Sequence, residues 1–264
     1  MVNSALVATI YVNPVTGDKN YKGLRLQPYK TISQALATKK TPMIIQLAPG
    51  TYSTENGERF PLVIPPGVII VGNEATKGKG ITISGSGNYD SPLFGTQNIT
   101  ILIQGNGQLI GVTVTNNNVK GSAIWIESTN PRVSDSTLTK CGREAIFICG
   151  HAKPVITDNI FVENANAGLV LTGHGKGEIL RNALEDSALG IAMSGFAAPL
   201  IADNKLSANQ ISMVVSGNSR PVLRHNFMTA NSQGGLFINA KGIPDLGSSQ
   251  DPAGNIFNQN IDFD

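Results

Sequence analysis

The sequence has few cysteines that could cross-link the chain and little net positive charge that could attract a polyanion. It contains two cysteines, Cys141 and Cys149, and one tryptophan. Two cysteines provide neither a disulfide framework nor the ligand set of a zinc site, so we expect both to be unpaired. Twenty basic and 18 acidic residues leave a formal charge of +2. This balance lacks the basic footprint of a nucleic-acid-binding protein, and we expect no nucleic acid partner.

Long apolar runs are also missing. No segment approaches the roughly 18 consecutive apolar residues of a membrane-spanning helix, so we expect no membrane span. The first residues, MVNSALVATIYVNP, lack the basic start and the full apolar stretch of a signal peptide. A secreted protein that has lost its leader would look the same, so this segment leaves the compartment open.

What the sequence does contain is a repeat. Five related segments follow one another: NPRVSDSTLTKC, KPVITDNIFVEN, KGEILRNALEDS, APLIADNKLSAN and RPVLRHNFMTAN. Their second residues are separated by 23, 23, 22 and 22 residues. A fixed period of this length is typical of a stacked solenoid, in which each repeat forms one turn of chain.

The aligned repeats place apolar residues in three columns, and each column alternates with more polar positions, as in half-buried strands. We predict two strands per repeat, stacked in parallel about 4.8 Å apart. The expected fold is all-β, a single-stranded right-handed parallel β-helix. The columns are Val133, Ile156, Ile179, Ile201 and Leu223; Leu138, Phe161, Leu184, Leu206 and Met228; and Ile124, Ile146, Leu169, Ile191, Met213 and Leu236.

Two polar columns mark the corners between strands. Asparagine tolerates the left-handed backbone conformation of a corner, and its amide can bond the next coil. We therefore interpret both columns as structural ladders that satisfy partly buried polar groups. They are Ser136, Asn159, Asn182, Asn204 and Asn226, and Cys141, Asn164, Ser187, Asn209 and Asn231.

We expect one domain over residues 1–264. Residues 1–60 would form an N-terminal cap and the first strands, 61–241 the coils, and 242–264 a C-terminal cap. A short capping helix is predicted within Thr31–Lys40, before a first strand MIIQL. The late segment GNIFNQN predicts one more half-coil, with Asn255 and Asn260 in the two corner columns.

Several segments outside the repeat carry a family resemblance: YVNPVTGDKNYKG, PYKTISQAL, IIQLAPGTYS, GERFPLVIPPGVIIVG and PDLGSSQDPAGNIFNQN. Together they resemble a pectin-lyase-like family of unknown function that is common in cyanobacteria. The resemblance implies a β-helix and a link to acidic polysaccharides, on which the wider superfamily acts as lyases, hydrolases and epimerases. It favours an extracellular or cell-envelope location. The adjacent Asp-Asp pair and the Arg-x-Lys motif of pectin hydrolases are absent.

One register position carries charge in successive coils: Asp135, Asp158, Arg181, Asp203 and His225. Stacking would place the Asp158 and Asp203 carboxylates about 9.6 Å apart, near the range of about 6.5 to 9.5 Å of inverting glycoside hydrolases. An arginine flanked by carboxylates also resembles pectate lyases, which makes calcium a candidate cofactor. The alternative is a salt-bridge ladder that sets coil register. The candidate catalytic residues are Asp158, Arg181, Asp203 and His225.

The candidate substrate-binding residues are Trp125, Phe147, His151 and His174. The two histidines are 23 residues apart and should stack in adjacent coils, with Phe196 in the next coil. No third ligand follows from the spacing, so we predict no metal site. Trp125 and Phe147 begin an outward apolar stripe that either stacks on sugar rings or packs under a covering segment or a second copy of the chain.

Two functions follow from these observations. The first is a carbohydrate-interacting protein that acts on an acidic polysaccharide as a lyase or hydrolase. The alternative is a noncatalytic structural or adhesive β-helix of the cell envelope, assembled as a homo-oligomer. The expected partner is a polysaccharide or glycan in the first case and further copies of the chain in the structural alternative.

Overall fold

A computed structural model describes residues 7–261 of the chain. The strands form three long sheets, and each complete coil adds one strand to each sheet. Neighbouring strands in the three main stacks are parallel and in register. The protein is therefore a parallel β-helix, as predicted. The prediction of two strands per repeat is wrong, because a corner divides each repeated segment into two short strands.

The sheets are numbered in the order in which the repeated coils visit them. Sheet 1 contains β1 (Ala8–Val12), β2 (Met43–Leu47), β5 (Val68–Val71), β9 (Gln108–Ile110), β12 (Arg132–Ser134), β15 (Val155–Thr157), β18 (Glu178–Leu180), β21 (Leu200–Ala202) and β24 (Val222–Arg224). Sheet 2 contains β3 (Gly50–Ser53), β6 (Ile81–Ser84), β10 (Thr113–Thr115), β13 (Thr137–Thr139), β16 (Ile160–Val162), β19 (Ala183–Glu185), β22 (Lys205–Ser207), β25 (Phe227–Thr229) and β27 (Ile256–Asn258). Sheet 3 contains β4 (Leu62–Ile64), β8 (Gly95–Ile103), β11 (Gly121–Glu127), β14 (Glu144–Cys149), β17 (Ala167–Leu171), β20 (Leu189–Met193), β23 (Ile211–Val215) and β26 (Gly234–Ile238), with β7 (Gly87–Ser91) antiparallel to β8.

The corner between sheets 1 and 2 is built differently from the prediction. The residue that takes the left-handed conformation is not the asparagine but the charged residue before it. Its φ is 53° at Asp135, 60° at Asp158, 54° at Arg181, 57° at Asp203 and 52° at His225. The bend turns this residue outward and the following one inward. The asparagine is thus free to use its amide inside the coil.

The asparagines form continuous hydrogen-bonded ladders. Asn182 Oδ1 accepts hydrogen bonds from the backbone N–H and the Nδ2 of Asn159, both at 3.0 Å. Its own Nδ2 donates to Ile156 O at 2.9 Å and to Asn204 Oδ1 at 3.0 Å. Each amide therefore ties a coil to its neighbours on both sides and satisfies backbone groups that would otherwise be buried without partners.

The C-terminal half-coil is confirmed. Strand β27 pairs with β25 in sheet 2. Asn255 Oδ1 accepts from the backbone N–H of Asn226 at 3.0 Å, and Asn260 Oδ1 accepts from that of Asn231 at 3.1 Å. Both residues therefore extend the two ladders by one step.

The predicted apolar columns form the core, and every member is buried except Leu236, which is partly buried near the C-terminal end. The two cysteines are unpaired and buried, as expected. Among residues 7–261 no helix is long and apolar enough to cross a membrane.

The first strand begins earlier in the chain than predicted. The first described strand is β1 rather than β2, and β1 pairs with β2. The predicted helix is α1 (Ile32–Ala37), with Thr31 as its N-cap and Gln34 completing a capping box. The buried Glu58 carboxylate accepts hydrogen bonds from the N–H groups of Ile32 and Ser33. Two 3₁₀ turns follow, at Thr54–Asn56 and Glu74–Thr76.

An antiparallel hairpin of β7 and β8 covers the start of the outer face of sheet 3. Beneath it, Trp125 is fully buried, with the Tyr89 ring centroid 6.4 Å and the Phe94 centroid 6.0 Å away. Glu127 Oε2 accepts hydrogen bonds from Tyr89 OH, Ser91 Oγ and Trp125 Nε1. Burial, together with this carboxylate, raises the pKa of Tyr89 to about 12. The prediction that Trp125 binds substrate is therefore corrected, because the indole is not accessible, and of the alternatives for this residue the structure shows the covering segment.

We predict that Asn204→Ala lowers the free energy of unfolding by about 3 kcal/mol, because it leaves several buried backbone and amide groups without partners. Chemical denaturation measures the change. Asn117→Ala is the matched control, since Asn117 is exposed and its side chain makes no hydrogen bond within residues 7–261. Equal effects of the two substitutions would contradict a ladder role.

We predict that Glu127→Ala loosens the hairpin and exposes Trp125, because one carboxylate oxygen bonds Tyr89 and Ser91 of β7 as well as the indole N–H. As Trp125 is the only tryptophan, its emission should shift to longer wavelength and become more accessible to acrylamide. Glu178→Ala, at an exposed position of sheet 1, should leave the emission unchanged. An unshifted spectrum in Glu127→Ala would show that apolar packing alone keeps the indole covered.

Candidate functional site

The predicted site residues fall into two separate groups. Asp158, Arg181, Asp203 and His225 lie at the corner between sheets 1 and 2. The aromatic candidates lie on sheet 3 or in the turns from sheet 3 to sheet 1. A ligand on the outer face of sheet 3 would therefore not meet the charged column.

The charged column contains two close ion pairs, at Asp135 and Asp158. Arg181 Nε and Nη2 donate to the two oxygens of Asp158 at 2.9 and 2.8 Å. These hydrogen bonds hold the pKa of Asp158 below its ordinary value, so it is an anion at neutral pH rather than a proton donor. His225 Nδ1 lies 3.8 Å from Asp203 Oδ1. In earlier coils Lys77 Nζ pairs with Asp135 at 2.7 Å. This is the arrangement of a salt-bridge ladder along an exposed corner.

The histidines form part of a three-ring stack. The ring centroids of His151 and His174 are 4.9 Å apart with planes inclined by 14°, and Phe196 lies 5.0 Å beyond His174 at 8°. A glycine with φ near 66° precedes each ring and turns the chain out of sheet 3, at Gly150, Gly173 and Gly195. The stack is exposed, with Phe196 at 55%. Among the described residues, no three His, Cys, Asp or Glu side chains cluster as a metal site would require.

At the opposite end of the sheet 3 strands, where β11 and β14 begin, a cavity of about 320 Å³ lies beside the hairpin, and we call it the Arg143 cavity. Its lining combines amides, a hydroxyl and two cations, without a carboxylate. The lining residues are Asn88, Thr96, Gln97, Asn98, Lys120 and Arg143.

Arg143 is held rigidly at this cavity. Its Nε donates to both oxygens of Glu144 at 2.8 and 2.9 Å, and its two Nη atoms donate to Gln97 Oε1 at 3.0 Å. Glu144 is only 2% exposed and also accepts from Ser122 Oγ at 2.7 Å. The Arg143 Cζ lies 5.9 Å from the Trp125 ring centroid and 6.0 Å from that of Phe147. The guanidinium is therefore fixed by charge and by aromatic contact.

Other groups at the cavity are uncommitted. Within residues 7–261 the Lys120 ammonium forms no ion pair, and the Asn88 side chain and the Asn98 Nδ2 form no hydrogen bond. These groups can therefore bind a ligand without first breaking a hydrogen bond or an ion pair within the protein.

Sequence reasoning missed this cavity. Four of its six lining residues come from the hairpin, where the 22- to 23-residue period is interrupted, and the other two, Lys120 and Arg143, directly precede β11 and β14. The signal that was present is the turn-rich segment GSGNYDSPLFGTQN between two apolar strands, which is typical of a hairpin.

The comparisons with known proteins agree with this architecture. A family model described as "Protein of unknown function (DUF1565)" matches residues 15–264. A search of curated sequences gave no match. Pectin methylesterase PemA from Erwinia chrysanthemi is similar in structure, with a TM-score of 0.59 and 13% identity over 97% of this chain and 90% of that one.

Two further structures are similar. Pectate lyase Pel9A gives a TM-score of 0.63 at 12% identity, over 98% of this chain and 79% of that chain. A rhamnogalacturonan lyase gives 0.52 at 10% identity, over 97% and 87%. At such identities the likeness shows the fold alone, and it confirms the predicted right-handed β-helix. The chain therefore belongs to the DUF1565 family of proteins of unknown function and has a pectin-lyase-like fold.

Proposed function

We propose that this protein binds an acidic oligosaccharide at the Arg143 cavity and is a carbohydrate-binding protein rather than an enzyme. The observation that carries the proposal is the lining of that cavity, where uncommitted amides lie beside two cationic side chains. Sugar hydroxyls both donate and accept hydrogen bonds, as amide side chains do. The carboxylate of an acidic sugar would lie against the cationic side chains of Lys120 and Arg143.

The charge balance identifies Lys120 as the residue that selects the acidic group. Arg143 is neutralised by the buried Glu144, so its contribution is a fixed planar donor rather than net charge. Lys120 has no such partner within the described residues and is exposed. An added carboxylate would therefore gain most of its electrostatic attraction from Lys120.

The aromatic residues extend the proposed surface across sheet 3. Phe147 stacks on Trp125 with a centroid distance of 4.3 Å and is partly exposed beside Arg143. The stack that contains His151 and His174 lies beyond the far end of β14, whose six residues span about 20 Å. We place a longer glycan across this face, with its rings against Phe147 and the two histidines. Trp125 supports Phe147 from below and does not touch the ligand.

The nearby carboxylates support binding over catalysis. Glu144 is bonded to Arg143 and Ser122, and one oxygen of Glu127 already accepts three hydrogen bonds. The charged column is at another corner. The likeness to carbohydrate-active proteins supports a carbohydrate ligand, but this support is at the level of the fold.

We predict that an oligogalacturonate binds the wild-type protein and that Lys120→Gln weakens its affinity about tenfold, because a charge-assisted hydrogen bond is lost. Isothermal titration calorimetry measures Kd. Lys241→Gln removes the same charge from an exposed site after β26, four coils from β14 along sheet 3, and should change Kd less than twofold. Methyl-esterified oligosaccharide should bind wild type as weakly as the acid binds Lys120→Gln.

Equal binding of the acid and its ester would overturn the acidic ligand. Turnover of the oligosaccharide would overturn the noncatalytic assignment. It is assayed as the formation of new reducing ends or unsaturated products, with and without calcium. If Asp158→Asn or Arg181→Ala abolished such turnover, the charged column would be the catalytic site after all.

A further inference from the structure

A second cavity lies at the N-terminal end of the β-helix, away from sheet 3's outer face. It has a volume of about 470 Å³ and is formed around helix α1. We call it the cap cavity. It is lined by Lys19, Lys30, Thr31, Ser33, Gln34, Ala37, Asn56, Gly57 and Arg59.

Three cationic residues from separate segments meet at the cap cavity: Lys19, Lys30 and Arg59. All three are exposed, and none takes part in an ion pair among residues 7–261. The nearest buried carboxylate, Glu58, does not line the cavity, because it is turned toward the backbone of Ile32 and Ser33. The cavity therefore has three positive side chains and no acidic one in its wall.

The helix holds these three residues in place through two of its own side chains. Gln34 Nε2 donates to Lys19 O at 3.1 Å, and Gln34 Oε1 accepts from Lys30 N at 3.2 Å. Ser33 Oγ accepts from Arg59 N at 3.0 Å. The backbones that bear the cations are thus anchored to one short helix. This anchoring reduces the entropy that a ligand would have to remove on binding.

The cap as a whole is the basic part of the molecule. Residues 1–60 hold seven of the 20 basic residues and three of the 18 acidic ones, so the rest of the chain is slightly acidic. The basic residues are Lys19, Lys22, Arg25, Lys30, Lys39, Lys40 and Arg59, and the acidic ones are Asp18, Glu55 and Glu58.

We propose that the cap cavity binds a tetrahedral dianion, the phosphate or sulfate group of an ester or the free ion. Three cations exceed the charge of a single carboxylate, whereas a dianion offers several acceptor oxygens to all three side chains. Arg59 contributes a planar fork of donors and the lysines contribute point charges. This site is separate from the Arg143 cavity and does not depend on the function proposed there.

The test is calorimetric titration with inorganic phosphate at pH 8 and with sulfate, using acetate as the monoanion. We expect saturable 1:1 binding of both dianions and about tenfold weaker binding of acetate. Lys30→Gln/Arg59→Gln should weaken phosphate binding at least about tenfold. Glucose 6-phosphate and glucose 6-sulfate then show whether an ester of either group is accepted.

Lys22→Gln/Lys40→Gln is the matched control, because it removes the same charge from the cap but outside the cavity. An equal loss of affinity in this control would show diffuse attraction and overturn the site, as would nonsaturable binding to wild type. Thermal melts check that the variants fold, and the single substitution Lys19→Gln provides a second test at an exposed side chain. Lys120→Gln should still bind phosphate, so the two cavities are tested independently.

Discussion

Buried asparagine amides at two corners of each coil are the interaction on which the rest of this structure depends. A parallel β-helix pairs its strands through backbone hydrogen bonds, but at the corners the backbone leaves the ladder of each sheet. There Asn182 and its equivalents accept from one coil and donate to the next. Removing this bridge would leave buried polar groups without partners, which costs more than the bond itself contributes. The ladder thereby sets the register of the repeated coils, from Ser136 to Asn255.

The ladder also explains the column of charges beside it. For the asparagine to point inward, the residue before it must take a left-handed conformation and point outward, as Asp158 and Arg181 do. An outward residue at an exposed corner is free to be charged, and neighbours about 4.8 Å apart then form ion pairs. Each exposed pair contributes about 0 to 1 kcal/mol. Corner geometry is therefore enough to explain a column of charged residues, and such a column is not by itself evidence of a catalytic site.

The two cavities lie where the repeat is interrupted. The hairpin of β7 and β8 buries Trp125 and supplies Gln97 to Arg143, which Glu144 fixes from the other side. At the N-terminal end, helix α1 anchors three segments whose cations face one concavity. In the regular coils equivalent side chains repeat at equal spacing, so a surface groove there is lined by the same positions from coil to coil. An inserted hairpin or helix breaks that regularity and encloses space in which different side chains converge.

The sequence by itself determined the β-helix, its core columns, both ladders and the final half-coil at Asn255 and Asn260. These features follow from a period, and a period places equivalent residues in register without knowledge of the rest of the molecule. It also predicted the ring stack of His151, His174 and Phe196. Only the tertiary structure decided that each coil has three strands, that Trp125 is covered, and that the catalytic and aromatic candidates lie in separate parts of the surface. Those outcomes depend on contacts between distant segments, such as Tyr89 with Glu127 and Gln97 with Arg143, which no repeat relates to one another.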